Sequence, residues 1–210
     1  MKYIIVAGAP GSKWSSVVKN IYYSPSIDRS DYSDSRTYYH DASGTNQLMH
    51  LGVYFDPHME FGHKLNLMEF LTKDTLEAEF DRPFSGEGVR IIKSHVFCHH
   101  LDFIRKTWPD CPIIFVERDN DACLGWWVRC GHFDITYPSY SGYYKNLRDM
   151  AGHIDKQNAD LRKFVDNNTV KKIYDNIELC EKLRIATPSK LTIQNYAAND
   201  IRVYLHQTVA

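Results

Sequence analysis

Short apolar runs alternate with amphipathic stretches along most of this chain. Tyr3-Ile4-Ile5-Val6-Ala7 is rich in β-branched residues, the pattern of a strand buried on both faces. Trp14 to Tyr23 sets Val17, Val18, Ile21 and Tyr22 on one helical face. Between them lies Gly8-Ala9-Pro10-Gly11-Ser12-Lys13, whose glycines let the backbone turn sharply with its N–H groups inward. Strand, glycine-rich turn and helix together aim unpaired amides and a positive helix end at an anion. The expected ligand is a phosphate or a sulfate; the plain alternative is a tight turn with no ligand.

The same pattern predicts the rest of the fold. Leu65, Met68, Leu71, Thr75 and Leu76 give one helix over Lys64 to Phe80, and Val89 to Ser94 reads as the second strand. A short helix from His99 to Trp108 closes at Pro109, and Pro112 to Val116 is the third strand. Asp119 stands where it can cap a helix from Asn120 to Arg129. Leu147, Met150, Ile154, Leu161 and Val165 mark a long amphipathic helix. Thr169 to Tyr174 is the last strand, followed by helices over Ile177 to Arg184 and near Tyr196 to His206. Strands alternating with helices predict an α/β fold: a three-layer sandwich with a central parallel sheet flanked by helices. Ligands in such sheets bind beyond the carboxyl ends of the strands. Lys13, His95, Arg118 and Asp175 each follow the end of a predicted strand.

Two stretches depart from the pattern. Residues 24–63 begin polar and turn-rich and continue through Tyr38, Tyr39, His40, His50, Tyr54, Phe55, His58, Phe61 and His63. So many aromatics and histidines argue for an ordered covering segment. It forms an acceptor-side pocket or packs over the sheet. Tyr137 to Tyr144 is a second aromatic loop.

Composition narrows the function classes. The 210 residues are 43% hydrophobic, enough for one domain over residues 1–210 with a sizeable core. Twenty-five basic against 26 acidic residues leave a formal charge of −1, which gives no support to nucleic-acid or membrane binding. The apolar run at the N-terminus breaks at Gly8 and is no signal peptide. No stretch approaches the ~20 apolar residues of a spanning helix. The five cysteines form no C-x-x-C pair, so free thiols and a cytoplasmic location are expected.

Four segments, in order and over about a third of the chain, carry a family resemblance. Gly11-Ser12-Lys13-Trp14, Ile91-Ile92-Lys93-Ser94-His95, Phe115-Val116-Glu117-Arg118-Asp119 and Lys172-Ile173-Tyr174-Asp175 resemble motifs of the P-loop sulfotransferases. The resemblance implies a P-loop NTPase-like fold. It also implies sulfuryl transfer from 3′-phosphoadenosine 5′-phosphosulfate to a hydroxyl or amine on a small molecule, glycan or peptide. By position, Gly8, Gly11, Ser12, Lys13 and Trp14 would hold the 5′-phosphosulfate. Arg118 would bind the 3′-phosphate, Lys93 would steady the transferring group, and His95 would be the base. Three features depart from the family. Its loop lysine falls at Ala9, while Lys13 directly precedes Trp14; its phosphate-gripping serine is Gly125; and no R-K-G segment closes the chain.

Elementary chemistry fits these roles. In-line sulfuryl transfer needs positioning and charge more than covalent help, so lysines such as Lys13 and Lys93 suffice without a metal. An imidazole has a suitable pKa to take the acceptor's proton. On an extended chain Lys93 and His95 point to one face. The plainer roles are a strand-end polar residue for His95 and a solvated partner of Asp121 for Arg118. Trp126 and Trp127 stack an adenine or belong to the core. His95, Cys98, His99 and His100 match no common zinc spacing. Two rivals stand beside the transferase. One is a magnesium-dependent kinase or NTPase with Glu117 on the metal, against which Trp14 occupies the Ser/Thr position of G-x-x-x-x-G-K-[ST]. The other is a non-catalytic nucleotide binder.

Overall fold

In the computed structural model, described for residues 1–33, 38–40, 47–57, 59–129 and 146–207, one five-stranded sheet carries the fold. The strands and helices are, in order, β1 (Tyr3–Gly8), α1 (Trp14–Tyr22), β2 (Tyr38–His40), β3 (Gln47–His50), α2 (Lys73–Asp81) and β4 (Arg90–Lys93). Then come α3 (Leu101–Thr107), β5 (Ile113–Glu117), α4 (Asn120–Arg129), α5 (Leu147–Asn167), β6 (Lys171–Ile173), α6 (Asn176–Leu183) and β7 (Arg202–His206). The sheet order is β4-β1-β5-β7-β6, and β2 and β3 form a separate antiparallel pair. The predicted loop over Tyr137–Tyr144, Cys130 and His58 lie outside the described residues.

Burial on both sheet faces explains the continuous apolar runs. Ile4, Val6, Ile114 and Val116 meet Val17, Val18 and Ile21 of α1 and Leu179 and Leu183 of α6. Their neighbours Tyr3, Ile5, Ile113 and Phe115 point the other way, onto Leu76 and Phe80 of α2 and Leu101 and Ile104 of α3. Helix α5 serves both clusters, with Met150 and Ile154 on the first face and Leu161 and Phe164 on the second. This is the α/β layering that the alternation predicts.

Three expectations need correction. The sheet is mixed: β4, β1 and β5 are parallel, but β7 runs antiparallel to both β5 and β6. The predicted terminal helix is instead β7, because Val203 and Leu205 alternate inward while Arg202, Tyr204 and His206 stay half-exposed. The predicted helix from Lys64 to Phe80 is two pieces. A 3₁₀ segment covers Leu65–Phe70, then extended Leu71 breaks it, and Thr72 caps α2 by accepting from the Thr75 amide.

The covering segment attaches along the β4 edge. Ile27 pairs with Val89, the Asp28 amide donates to the Val89 carbonyl, and the Phe55 amide donates to the Lys93 carbonyl. These contacts cover the edge at both ends of β4.

Candidate anion-binding site

The loop between β1 and α1 is built from three close approaches. The Ser12 amide donates to the Ala9 carbonyl, closing a tight turn. Gly11 takes φ 76°, where a Cβ would stand 2.0 Å from the Cys123 carbonyl oxygen of α4, so no side chain fits. A Cβ on Gly8 would meet the Ser12 hydroxyl at 2.8 Å and the Val116 carbonyl at 2.9 Å. Lys13 then enters the left-handed region at φ 63°, ψ 20°, and α1 begins at Trp14 with its first amides facing out of the helix. Inside the loop the Ser12 hydroxyl is fully buried and has no hydrogen-bond partner among the described residues. A hydroxyl in that state costs about 1–3 kcal/mol, so the loop interior is chemically suited to an acceptor-rich group.

His95 lies directly against this loop. Its Nδ1 donates to the Gly8 carbonyl over 2.5 Å, which fixes the tautomer and leaves the lone pair on Nε2. The ring stands edge-on to Trp14 at 5.1 Å and to Tyr54 at 5.3 Å, and Tyr54 stacks on His50 at 5.3 Å. Burial pushes its pKa down to about 4, so the ring is neutral at pH 7. Of the covering segment's aromatics, Phe55 and Phe61 fill the core, whereas His50 and Tyr54 gather around His95. The packing role expected of that segment is therefore present, and these buried rings enclose His95.

The other expected site residues are placed differently. Lys93 is buried, with its ammonium donating to the Leu51 carbonyl and lying near Asp31. Burial lowers its pKa to about 8, partly offset by Asp31. Asp31 itself accepts from Tyr22 and from the Val53 amide, so Lys93 and Asp31 together pin the covering segment. Parity does put Lys93 on the α1 face, but its head group is engaged away from the loop.

Arg118, just past β5, reaches the loop from the opposite side. It donates to the Gly11 carbonyl at 3.3 Å, to the Ala122 carbonyl at 2.8 Å and to Asp200 at 3.2 Å. Its ionic partner is thus Asp200 and not Asp121. Lys13 donates to the Asn199 carbonyl at 3.2 Å and lies over the Trp126 ring. Trp126 also faces Arg118 and Arg129, whereas Trp127 is core. Gly125 lies on the open side of α4, where a Cβ would meet nothing. Asp175 caps α6 through the amides of Ile177 and Glu178.

Glu117, the metal ligand of the kinase reading, is buried between Arg162 at 2.6 Å and Arg202 at 3.2 Å, which hold its pKa below the usual carboxylate range against the opposing effect of burial. Asp119, the expected helix cap, gives its carboxylate to Arg202 at 2.6 Å. His99 binds Asp160 and His100 binds Glu69, so the His-Cys-His-His cluster is dispersed. Among the described residues no group of His, Cys, Asp and Glu is arranged to hold a metal, and no helix is long and apolar enough to cross a membrane.

Asn199 and Asp200 were not among the expected site residues. The signal was present: an Asn-Asp pair before an alternating Val-Tyr-Leu run marks a turn into a strand. Asp200 indeed takes φ 59° there. No family model matches the chain, and neither the curated proteins nor the solved structures give a match.

Proposed function

We propose that the Gly8–Lys13 loop binds the phosphosulfate of a 3′-phosphoadenosine 5′-phosphosulfate-type donor, and that the protein transfers its sulfuryl group to a hydroxyl or amine. One observation carries this reading: a neutral His95 with its tautomer locked by the carbonyl of the loop's own first glycine. The acceptor oxygen attacks sulfur in line, Nε2 of His95 takes the acceptor's proton, and the bond from sulfur to the bridging phosphate oxygen breaks. Adenosine 3′,5′-bisphosphate leaves with the electron pair. Ser12 and the leading amides of α1 are the donors facing the anion.

A specific observation favours a second reading. Arg118 and Lys13 already hold carbonyls and a carboxylate, which suits a binder of simple anions that transfers nothing. The two are separated by following ³⁵S-labelled donor in a screen of hydroxyl and amine acceptors, alongside thermal shifts with adenosine 3′,5′-bisphosphate, magnesium-ATP and phosphate. Transfer should appear and fall about a hundred- to ten-thousand-fold in His95→Ala, with bisphosphate binding kept. Phosphate protection without transfer supports the binder. A shift with magnesium-ATP alone would sink both readings.

A further inference from the structure

Away from the loop, a cleft of about 1110 Å³ runs along the outer face of α1. One wall is the polar side of the helix, where Lys19 and Tyr23 are one turn apart. The other is the irregular segment 188–195, between α6 and β7. That segment is held firmly although it has no regular structure. Buried Asn176 donates to the Thr192 carbonyl at 2.7 Å and accepts from the Gln194 amide at 3.0 Å. Upstream, Ser24 and Ser26 clamp the backbone of Ala186 from both sides. Asn20 of α1 donates to the Gln194 side chain, tying the two walls together. The concavity is therefore preorganised, which lowers the ordering cost of binding.

Its charge is one-sided. Lys19, Arg29 and Lys190 line it, all exposed, and no carboxylate does among the described lining residues. None of the three cations makes an ion pair among the described residues. In a chain of net charge −1 this is a local feature and not a consequence of composition. Apolar groups separate the cations: Tyr23 is 48% exposed, Ile193 is 68% exposed, and Pro25 lies beside them.

We propose that this cleft is a docking site for an extended acidic peptide segment of a partner protein, with acidic and apolar side chains interleaved. The volume exceeds what a single inorganic anion fills. Three cations are too few and too widely interrupted for a polyanion track, where charge repeats densely. Cations spaced by exposed apolar surface match a peptide that presents both kinds of side chain. The proposal does not depend on the chemistry of the Gly8–Lys13 loop.

The test is an array of immobilised decapeptides varied in charge and apolar content, probed with the fluorescently labelled full chain. Bound peptides should be enriched in Asp and Glu interleaved with apolar residues. The double charge reversal Lys19→Glu and Lys190→Glu should weaken them on the order of tenfold or more, with an unchanged melting midpoint because both lysines are exposed. The pair Tyr23→Ser and Ile193→Ser should erase the apolar preference and keep the acidic one. Selection of neutral or basic peptides overturns the proposal, as does equal binding by the charge-reversed chain. So does a sulfated oligosaccharide that binds more tightly than every peptide, since the cleft is then a glycan site.

Discussion

Lowering the pH should destabilise this protein through His95, and the size of the effect follows from its surroundings. The ring is buried with Nδ1 on the Gly8 carbonyl, and its folded pKa lies at about 4, against an ordinary 6.5. Above pH 6.5 both folded and unfolded chains hold a neutral ring, and the residue adds no pH dependence. Below 6.5 the unfolded chain takes up a proton that the folded one refuses. Stability is then lost at about 1.4 kcal/mol per pH unit until about pH 4, a total of roughly 3 kcal/mol. Carboxylates such as Asp81 and Glu117 also lose stability when acidified, so the residue's own share must come from a difference. His95→Asn supplies it, because an amide can donate to the Gly8 carbonyl in place of Nδ1 and does not titrate near these pH values. Urea unfolding of both proteins at pH 7.5, 6.5, 5.5 and 4.5 should give curves that diverge on the acid side. The variant should gain about 2–3 kcal/mol relative to the native chain by pH 4.5. Parallel curves would show that the folded chain protonates His95 freely, and the neutral, tautomer-locked base would be lost with it.

Three further outcomes are expected. Gly11→Ala, forced to φ 76° and onto the Cys123 carbonyl, should lose about 2–5 kcal/mol in denaturant titration, whereas Gly125→Ala on the open side of α4 should gain up to about 1 kcal/mol. In the native chain the buried Lys93 loses its proton near pH 8 while the unfolded chain keeps it to about 10.5, so stability should rise across that window; in Lys93→Met this rise should disappear from the pH series. Asp175→Ala removes the acceptor for two amides of α6 and should cost about 0.5–2 kcal/mol by thermal or urea unfolding.

The fold was legible where one local rule governed a segment. The strand runs at Ile4–Val6, Ile91–Ile92 and Ile113–Phe115 are buried on both faces, and their sequences say so without ambiguity. The C-terminal segment was not, because Tyr196, Ile201, Val203 and Leu205 satisfy both a helical and an alternating reading over so few residues. The turn at Asn199-Asp200 decides between them, and Asp200 there adopts a left-handed backbone. In the candidate site, the partnership of His95 with the loop could be read from its place after a strand beside the first one. The fates of Lys93 and Arg118 could not. Lys93 is engaged by the distant Leu51 carbonyl and Arg118 by the Gly11 and Ala122 carbonyls and Asp200, and carbonyls leave no mark in side-chain pattern.

That dependence on carbonyls also bears on the anion binding proposed for the loop. Lys13 lies in the loop, Arg118 donates to its Gly11 carbonyl, and both reach the turn before β7, through Asn199 and Asp200. Asp200 is 59% exposed at its side chain, whereas Arg118 is only 11% exposed. The bonds from Arg118 to the Gly11 and Ala122 carbonyls are more sheltered and shape the loop itself. On the proposed function, Asp200 is the contact of Arg118 for which a phosphate or sulfate would compete, while the bonds to the Gly11 and Ala122 carbonyls shape the loop backbone. Lys13 reaches the same turn through the Asn199 carbonyl and also lies over the Trp126 ring. On the proposed function, the turn at Asn199-Asp200 is thus the element whose contacts with Lys13 and Arg118 a bound anion would have to replace.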